Sequence, residues 1–235
     1  MRASPSPASL VGWHGKLPTV GDFATRRLDP SFISVWDDWL SGGLAKLRRQ
    51  DEAGWLDAYL ASPTWRFLLT PGFLPSPLQR QAWAGIVMPS MDRVGRYYPL
   101  TIAMALDNLP LQSAEQASLW TWLHRIDDAA VDALQDDWTI DALEAELARI
   151  GGPAWQEGAE GASASDAAMG AVGAVGVVGE VGGGAASRFF SVCDAPTRSV
   201  ASFGACAWCS ESGLLQPREF RSPARDDSIL ELWRA

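Results

Sequence analysis

The chain has 235 residues, of which 47% are apolar and 20% are charged, so it belongs to the globular class and is long enough for one well-filled core. Its formal net charge of −9 disfavours unselective binding to nucleic acid or to an anionic membrane surface. Its three cysteines are an odd number in a chain too large to need a disulfide framework, and they fit a reducing compartment.

The N-terminal region predicts a tail, a strand and an ordered turn. Residues 1–9 are rich in serine, proline and alanine and are expected to be disordered. They lack the apolar stretch of a secretory signal, and no run of about 18 apolar residues follows, so we expect a cytoplasmic protein. The opening strand contains Trp13, with His14 pointing to the opposite, solvent side. Lys16 and Asp22 lie in the turn that follows.

Two amphipathic helices are predicted next. Asp29 followed by Pro30 is a strong helix start, because a capping carboxylate precedes a ring whose fixed φ suits the first turn. Apolar residues then recur at helical spacing as far as Leu47. A second helix covers residues 52–61 and is stopped by Pro63.

The middle of the chain predicts three strands in quick succession. They cover residues 64–69, 83–88 and 97–106, which are short apolar runs bounded by turn residues. The connection through residues 90–95 is too short for a crossover helix. The sheet is therefore expected to be at least partly antiparallel.

Two more helices follow these strands. Ser113 and Gln116 have the spacing of a capping box in front of a long amphipathic segment. Either Asp137 or Thr139 caps the next helix, and Gly151 with its neighbours ends it.

The composition changes abruptly after this point. Residues 151–187 are dominated by glycine, alanine and valine, and we predict a flexible linker or insertion. Residues 189–193 and 200–209 resemble strands that return to the sheet, and residues 229–233 form a last short helix or strand.

The order of these elements predicts the fold. Helices and strands alternate and all have apolar faces, which is typical of a layered α/β domain with helices over a mixed, partly antiparallel sheet. Residues 10–150 and 188–235 are expected to form this single domain.

No catalytic set is apparent in the sequence. The histidines are His14 and His124, and no nucleophile elbow surrounds a serine. Cys206 and Cys209 form a C-x-x-C pattern, but in a strand such positions lie on opposite faces, and a zinc site would need two further ligands. Acidic pairs such as Asp127–Asp128 are interpreted as solvated. We therefore predict no metal and no cofactor.

The densest cluster of polar groups lies between the strands at 83–88 and 97–106. It contains Asp92, Arg93 and Arg96. In one interpretation the two guanidinium groups hold a carboxylate or phosphate of a partner. In the other, the aspartate and the arginines brace the loop.

Two stretches resemble the TagF family, also called ImpM or SciT, which is associated with type VI secretion. The segment GWHGKLPTVGDF at residues 12–23 is similar to the family's G-aromatic-x-G-K-x-P-x-x-G-D-F opening. Residues 83–100 are similar to its W-x-G-x-x-x-P-S-x-D-x-x-G-R-x-[FY]-P-L block. The resemblance covers residues 11 to about 106.

This resemblance implies a three-layer α/β/α sandwich and a non-enzymatic, cytoplasmic role. The implied function is post-translational repression of type VI secretion system assembly, by binding the system's forkhead-associated (FHA) scaffold protein. The candidates for partner binding in or beside the motif blocks are Trp13, Lys16, Asp22, Asp92, Arg93, Arg96 and Tyr97.

Two alternatives remain open. The first is a structural accessory component of the secretion apparatus. The second is a small-anion-binding enzyme or sensor, which requires four groups to converge in a pocket. Those groups are Lys16, Asp22, Asp92 and Arg96.

Overall fold

The computed structural model describes residues 11–157, 189–190, 205–210, 213–219 and 229–233. Predictions for the N-terminal tail, for residues 158–187 of the glycine-rich segment and for residues 191–193 and 200–204 lie outside these ranges. The division into one domain and one linker stays a prediction.

Strands and helices alternate along the described chain. The strands are β1 Gly12–Gly15, β2 Ala24–Arg26, β3 Trp65–Leu69, β4 Ala82–Met88, β5 Leu100–Leu106, β6 Ala205–Ser210 and β7 Gly213–Glu219. The helices are α1 Pro30–Gln50, α2 Trp55–Ala61, α3 Ser113–Gln135, α4 Ile140–Ile150, α5 Ala154–Glu157 and α6 Ile229–Leu232. Among these helices, none is both long enough and apolar enough to cross a bilayer.

The strands form one sheet in the order β2-β1-β5-β4-β3-β6-β7. Every pairing between described strands is antiparallel, so the antiparallel part of the prediction is confirmed. A parallel pairing, which a mixed sheet requires, is not found among these strands. The connection between β4 and β5 is too short for a crossover, and the pairs β3–β4, β3–β6 and β6–β7 are antiparallel as well.

Helix starts follow local capping chemistry. The Asp29 side chain accepts a hydrogen bond from the Ser31 amide at 2.7 Å, as its position before Pro30 predicts. The capping box before α3 is one residue earlier than predicted, since Gln112 is the cap and Glu115 accepts from the Gln112 amide at 3.0 Å. The reason is that Gln112 has the extended backbone that a cap needs, whereas Ser113 is already helical.

Two further elements differ from what the sequence predicts. Strand β2 was not predicted, because its three residues carry no periodic pattern and are ordered by pairing with β1. Phe189 and Phe190 are helical and not part of a strand. Both rings are buried against Trp120 of α3. The apolar pattern therefore predicted that these residues are buried, but it did not predict their helical backbone.

Helices cover both faces of the sheet. One hydrophobic cluster combines strand residues such as Trp13 and Ile102 with residues of α3 and α4. The other combines Phe67 and Trp208 with residues of α1, α2 and α6, including Trp36. The α/β class is confirmed, and the three-layer sandwich stays the prediction that this arrangement fits.

Most of the tryptophans fill this core. Eight of the 12 tryptophans are buried. Trp36 and Trp208, for example, stack with their ring centroids 6.3 Å apart, and Phe67 tilts against both of them. Aromatic groups therefore account for much of the burial between the sheet and α1.

Candidate functional site

The two motif-bearing loops meet at one end of the sheet. β1 pairs with β5, with His14 opposite Thr101, so the end of β1 lies beside the start of β5. The loop after β1 is thereby placed next to residues 89–99, which join β4 to β5. We call these two segments the sheet-end loops.

A buried carboxylate holds the sheet-end loops together. The Asp92 side chain accepts hydrogen bonds from Lys16 Nζ at 2.6 Å and from Arg96 Nε at 2.7 Å. It also accepts from the amides of Val94 at 3.0 Å and of Arg96 at 2.9 Å. We call Asp92, Lys16 and Arg96 the Asp92 clasp. Because the Lys16 side chain is only 3% exposed and that of Asp92 is 0% exposed, this ion pair lies in the interior.

The clasp keeps Asp92 ionised. Burial alone would raise the pKa of this carboxyl, but hydrogen bonds from Lys16, from the Arg96 amide and side chain and from the Val94 amide outweigh that effect. The pKa of Asp92 is therefore held well below its ordinary value of 3.8. At neutral pH the site contains a fixed negative charge surrounded by donors.

We expect this clasp to make the protein acid-sensitive in a defined direction. Because the folded pKa of Asp92 lies below the unfolded value, its contribution to stability is fully present above pH 3.8 and is lost as the pH falls further. Urea unfolding of wild type and Asp92→Asn between about pH 5 and pH 3 measures this effect. At about pH 5 the free energy of unfolding of Asp92→Asn should be lower than that of wild type. Between about pH 5 and pH 3 it should fall less for Asp92→Asn than for wild type. Parallel pH profiles for the two proteins would contradict the assignment.

An aromatic group covers the buried lysine. Lys16 Nζ lies 4.5 Å from the centroid of the Phe23 ring. Phe23 stacks on His14 at 5.8 Å and meets the edge of Tyr98 at 4.8 Å. The sequence placed His14 in solvent, and this was wrong, since these rings cover it and Thr25 Oγ1 lies 2.6 Å from its Nδ1. This burial lowers the pKa of His14.

The remaining predicted residues occupy different environments. Trp13 is fully buried, and its indole donates to Glu144 Oε1 at 2.6 Å, so it ties β1 to α4 and does not reach the surface. Asp22 is exposed and accepts a hydrogen bond from the amide of the next residue, Phe23. Tyr97 is half-buried against Trp55, with ring centroids 5.7 Å apart.

The two arginines of the cluster play different structural parts. Arg96 binds Asp92 and also donates to the carbonyl of Gly21, so it braces one sheet-end loop against the other. Arg93 is exposed, and its guanidinium contacts no hydrogen-bond partner within residues 11–157 or the shorter described segments. The brace interpretation thus applies to Arg96, while Arg93 stays a candidate for partner binding.

A shallow groove of about 460 Å³ runs beside the loop that joins β4 to β5. Its lining residues are Pro18, Thr19, Met91, Asp92, Arg93, Gly95 and Asp137. Lys16 and Arg96 do converge on Asp92, but they neutralise its carboxylate and do not line the groove. The geometry therefore does not provide the four-residue anion pocket that an enzyme or sensor would need.

Sequence reasoning missed how the serine of the second motif block is held. The Tyr59 hydroxyl donates to the Ser90 carbonyl at 2.9 Å and accepts from the Ser90 amide at 2.8 Å. Ser90 Oγ in turn donates to the Lys16 carbonyl at 2.8 Å. Both sheet-end loops are thereby fastened to α2, and the Pro-Ser step of the motif was the one signal available.

The acidic residue Asp127 was also placed incorrectly by sequence reasoning. It was interpreted as solvated, but its side chain is 7% exposed and pairs with Arg66 of β3 at 2.5 Å. Asp127 is buried because the face of α3 that contains it packs on the sheet, where Arg66 supplies the opposite charge.

The C-x-x-C pair lies in β6 as the strand argument predicts. Cys206 packs in the cluster with α1 and Cys209 in the cluster with α3, so the two thiols face opposite sides of the sheet. Both are buried and unbridged. The described residues hold no group of three or more potential metal ligands.

Comparisons with known proteins bear on the same region. Residues 12–150 match a family model described as the TagF N-terminal domain, type VI secretion system-associated. The resemblance drawn from the two motif blocks is thereby confirmed. The match includes both sheet-end loops, α1 to α4 and the first five strands.

A solved structure is also similar. The crystal structure of PA0076 from Pseudomonas aeruginosa PAO1 shares 36% sequence identity with the chain, with a TM-score of 0.51. The similarity covers 61% of this chain and 63% of that one, so the chain spans less than two thirds of its length. No curated protein sequence gave a match.

Proposed function

The chain belongs to the TagF family of type VI secretion system-associated proteins, and from that membership we propose that it represses assembly of the secretion system. It acts after translation, in the cytoplasm and without catalysis, by binding the FHA-domain scaffold protein of the system. No metal, cofactor or nucleic acid takes part in this function.

One observation carries the proposal. The two motif blocks of the family come together as sheet-end loops joined by the Asp92 clasp, in which Lys16 and Arg96 both bind Asp92. A substrate-binding site needs polar groups that point into a pocket, whereas here they fix the loops in one conformation. Rigid surface loops suit recognition of another protein.

The mechanism is competition by occupancy. While the repressor is bound, the scaffold surface that other components need is covered, so the free scaffold falls in proportion to repressor concentration and affinity. No covalent step is required, and assembly resumes when the complex dissociates.

A binding and a secretion experiment test the proposal together. Purified chain and purified FHA scaffold from the same system should form a complex with fixed stoichiometry by size-exclusion chromatography and calorimetry. Excess repressor in cells should reduce secretion of a type VI substrate while transcript levels of the secretion genes stay constant. Absence of binding at micromolar concentration, or a parallel fall in transcripts, would refute it.

A further inference from the structure

We infer that the FHA scaffold docks on the tip of the loop between β4 and β5, where Met91, Arg93 and Val94 project, with Phe23 at the rim. The matching surface of the scaffold carries a carboxylate beside an apolar patch. This inference takes the identity of the partner from the proposed function and adds the surface and the chemistry by which the partner is held.

Exposed apolar side chains are concentrated at this end of the sheet. Val94 is 67% exposed, Met91 46% and Phe23 48%. These are three of the five large apolar side chains exposed in the described part of the chain, and they lie on the two sheet-end loops. An apolar patch on adjoining loops marks an interaction surface more often than scattered single residues do.

The loop tip is already ordered in its presented shape. The Asp92 amide donates to the Arg96 carbonyl at 3.0 Å, and the Gly95 amide donates to the Asp92 carbonyl at 3.0 Å. Gly95 has φ +78°, a conformation that glycine adopts without strain. Since the Asp92 carboxylate also accepts two backbone amides in this loop, little conformational entropy remains to be lost on binding.

Charge complementarity identifies the occupant as acidic. Lys16 and Arg96 are bound to the Asp92 carboxylate, whereas the exposed Arg93 side chain contacts no hydrogen-bond partner in the described part of the chain. Asp22 is exposed on the other sheet-end loop and Asp137 lines the groove, so the cation left for a partner at the tip is Arg93. Arg93 lines the groove, and a partner carboxylate is the best bidentate ligand for its guanidinium.

The test compares the tip with an equally exposed apolar residue elsewhere. Leu111 is 65% exposed and follows the opposite end of β5 from the tip. The variants are Val94→Asp, Arg93→Glu and, as the matched control, Leu111→Asp. Their affinities for purified FHA scaffold are measured by calorimetry, and their folding is checked by thermal melting followed by circular dichroism.

We expect Val94→Asp and Arg93→Glu each to weaken binding at least about tenfold, as truncation of a central anchor does. Leu111→Asp should bind as wild type does, and all three should melt at the wild-type temperature because the substituted side chains are exposed. Arg93→Lys should lose part of the affinity, since it keeps the charge and loses the fork.

Each other outcome overturns a different statement. If wild type binds and both tip variants bind equally well, the docking surface is wrong while the proposed function stands. If the control loses affinity as much as the tip variants, the effect is not specific to the tip and the inference fails. If the tip variants only dissociate a self-associated form of the chain, the tip is a contact between two copies. If wild type does not bind, the proposed function fails and this inference fails with it.

Discussion

Replacing Asp127 with alanine will lower the free energy of unfolding by about 3–5 kcal/mol, because it removes a carboxylate that the buried Arg66 guanidinium binds. The ion pair of Arg66 and Asp127 joins β3 to α3 with a nitrogen–oxygen distance of 2.5 Å, and its side chains are only 3% and 7% exposed. The Arg66 guanidinium also lies 6.0 Å from the Trp120 ring, which does not replace a negative charge.

The adjacent residue supplies a matched control for this experiment. Asp128 is exposed on the same helix, so Asp128→Ala should change stability by no more than about 0.5 kcal/mol. A double variant, Arg66→Met with Asp127→Leu, should recover much of the loss, since it removes both buried charges together. Urea unfolding measures all four proteins, and an Asp127→Ala cost equal to that of Asp128→Ala would contradict the assignment.

Replacing Gly85 with alanine will destabilise the sheet by at least about 3 kcal/mol, at the upper end of what overpacking costs. A Cβ at this position would lie 2.2 Å from the Ile102 carbonyl oxygen and 2.8 Å from the Ala103 Cα. Both are backbone atoms of β5, the central partner of β4, so they cannot move aside as a flexible side chain does.

The same substitution elsewhere should have the opposite sign. At Gly42, in the middle of α1, a Cβ would meet nothing within 4 Å. Gly42→Ala should therefore raise the free energy of unfolding by about 1 kcal/mol through helix propensity. Thermal and urea unfolding of the two variants beside wild type provide the measurement. A Gly85→Ala protein as stable as wild type would show that β4 and β5 can separate at low cost.

The parts of the fold that were predicted correctly depend on local signals. Asp29 and Pro30 specify a helix start within a few residues of chain, and short connections between apolar runs require antiparallel pairing. β2 was missed because pairing with β1 orders it and its own residues carry no pattern. The helical conformation of Phe189 was missed because buried residues give the same apolar pattern in a strand and in a helix.

The candidate site was predictable as a cluster but not as a set of bonds. Asp92 and Arg96 are four residues apart, so sequence reasoning placed them together. Lys16 is 76 positions from Asp92, and only the pairing of β1 with β5 brings them into contact. The partner of Asp127 was missed for the same reason, since Arg66 is 61 positions away and nothing local marks either residue as buried.

The two hydrogen bonds between Tyr59 and Ser90 determine how the loop between β4 and β5 can open. Since the hydroxyl satisfies both the amide and the carbonyl of Ser90, the start of this loop cannot detach without breaking its contact with α2. A surface loop usually fluctuates on its own, but this one is bonded to Tyr59, the buried residue of α2. The loop between β4 and β5 and helix α2 should therefore unfold in a single cooperative transition when the protein is heated or denatured.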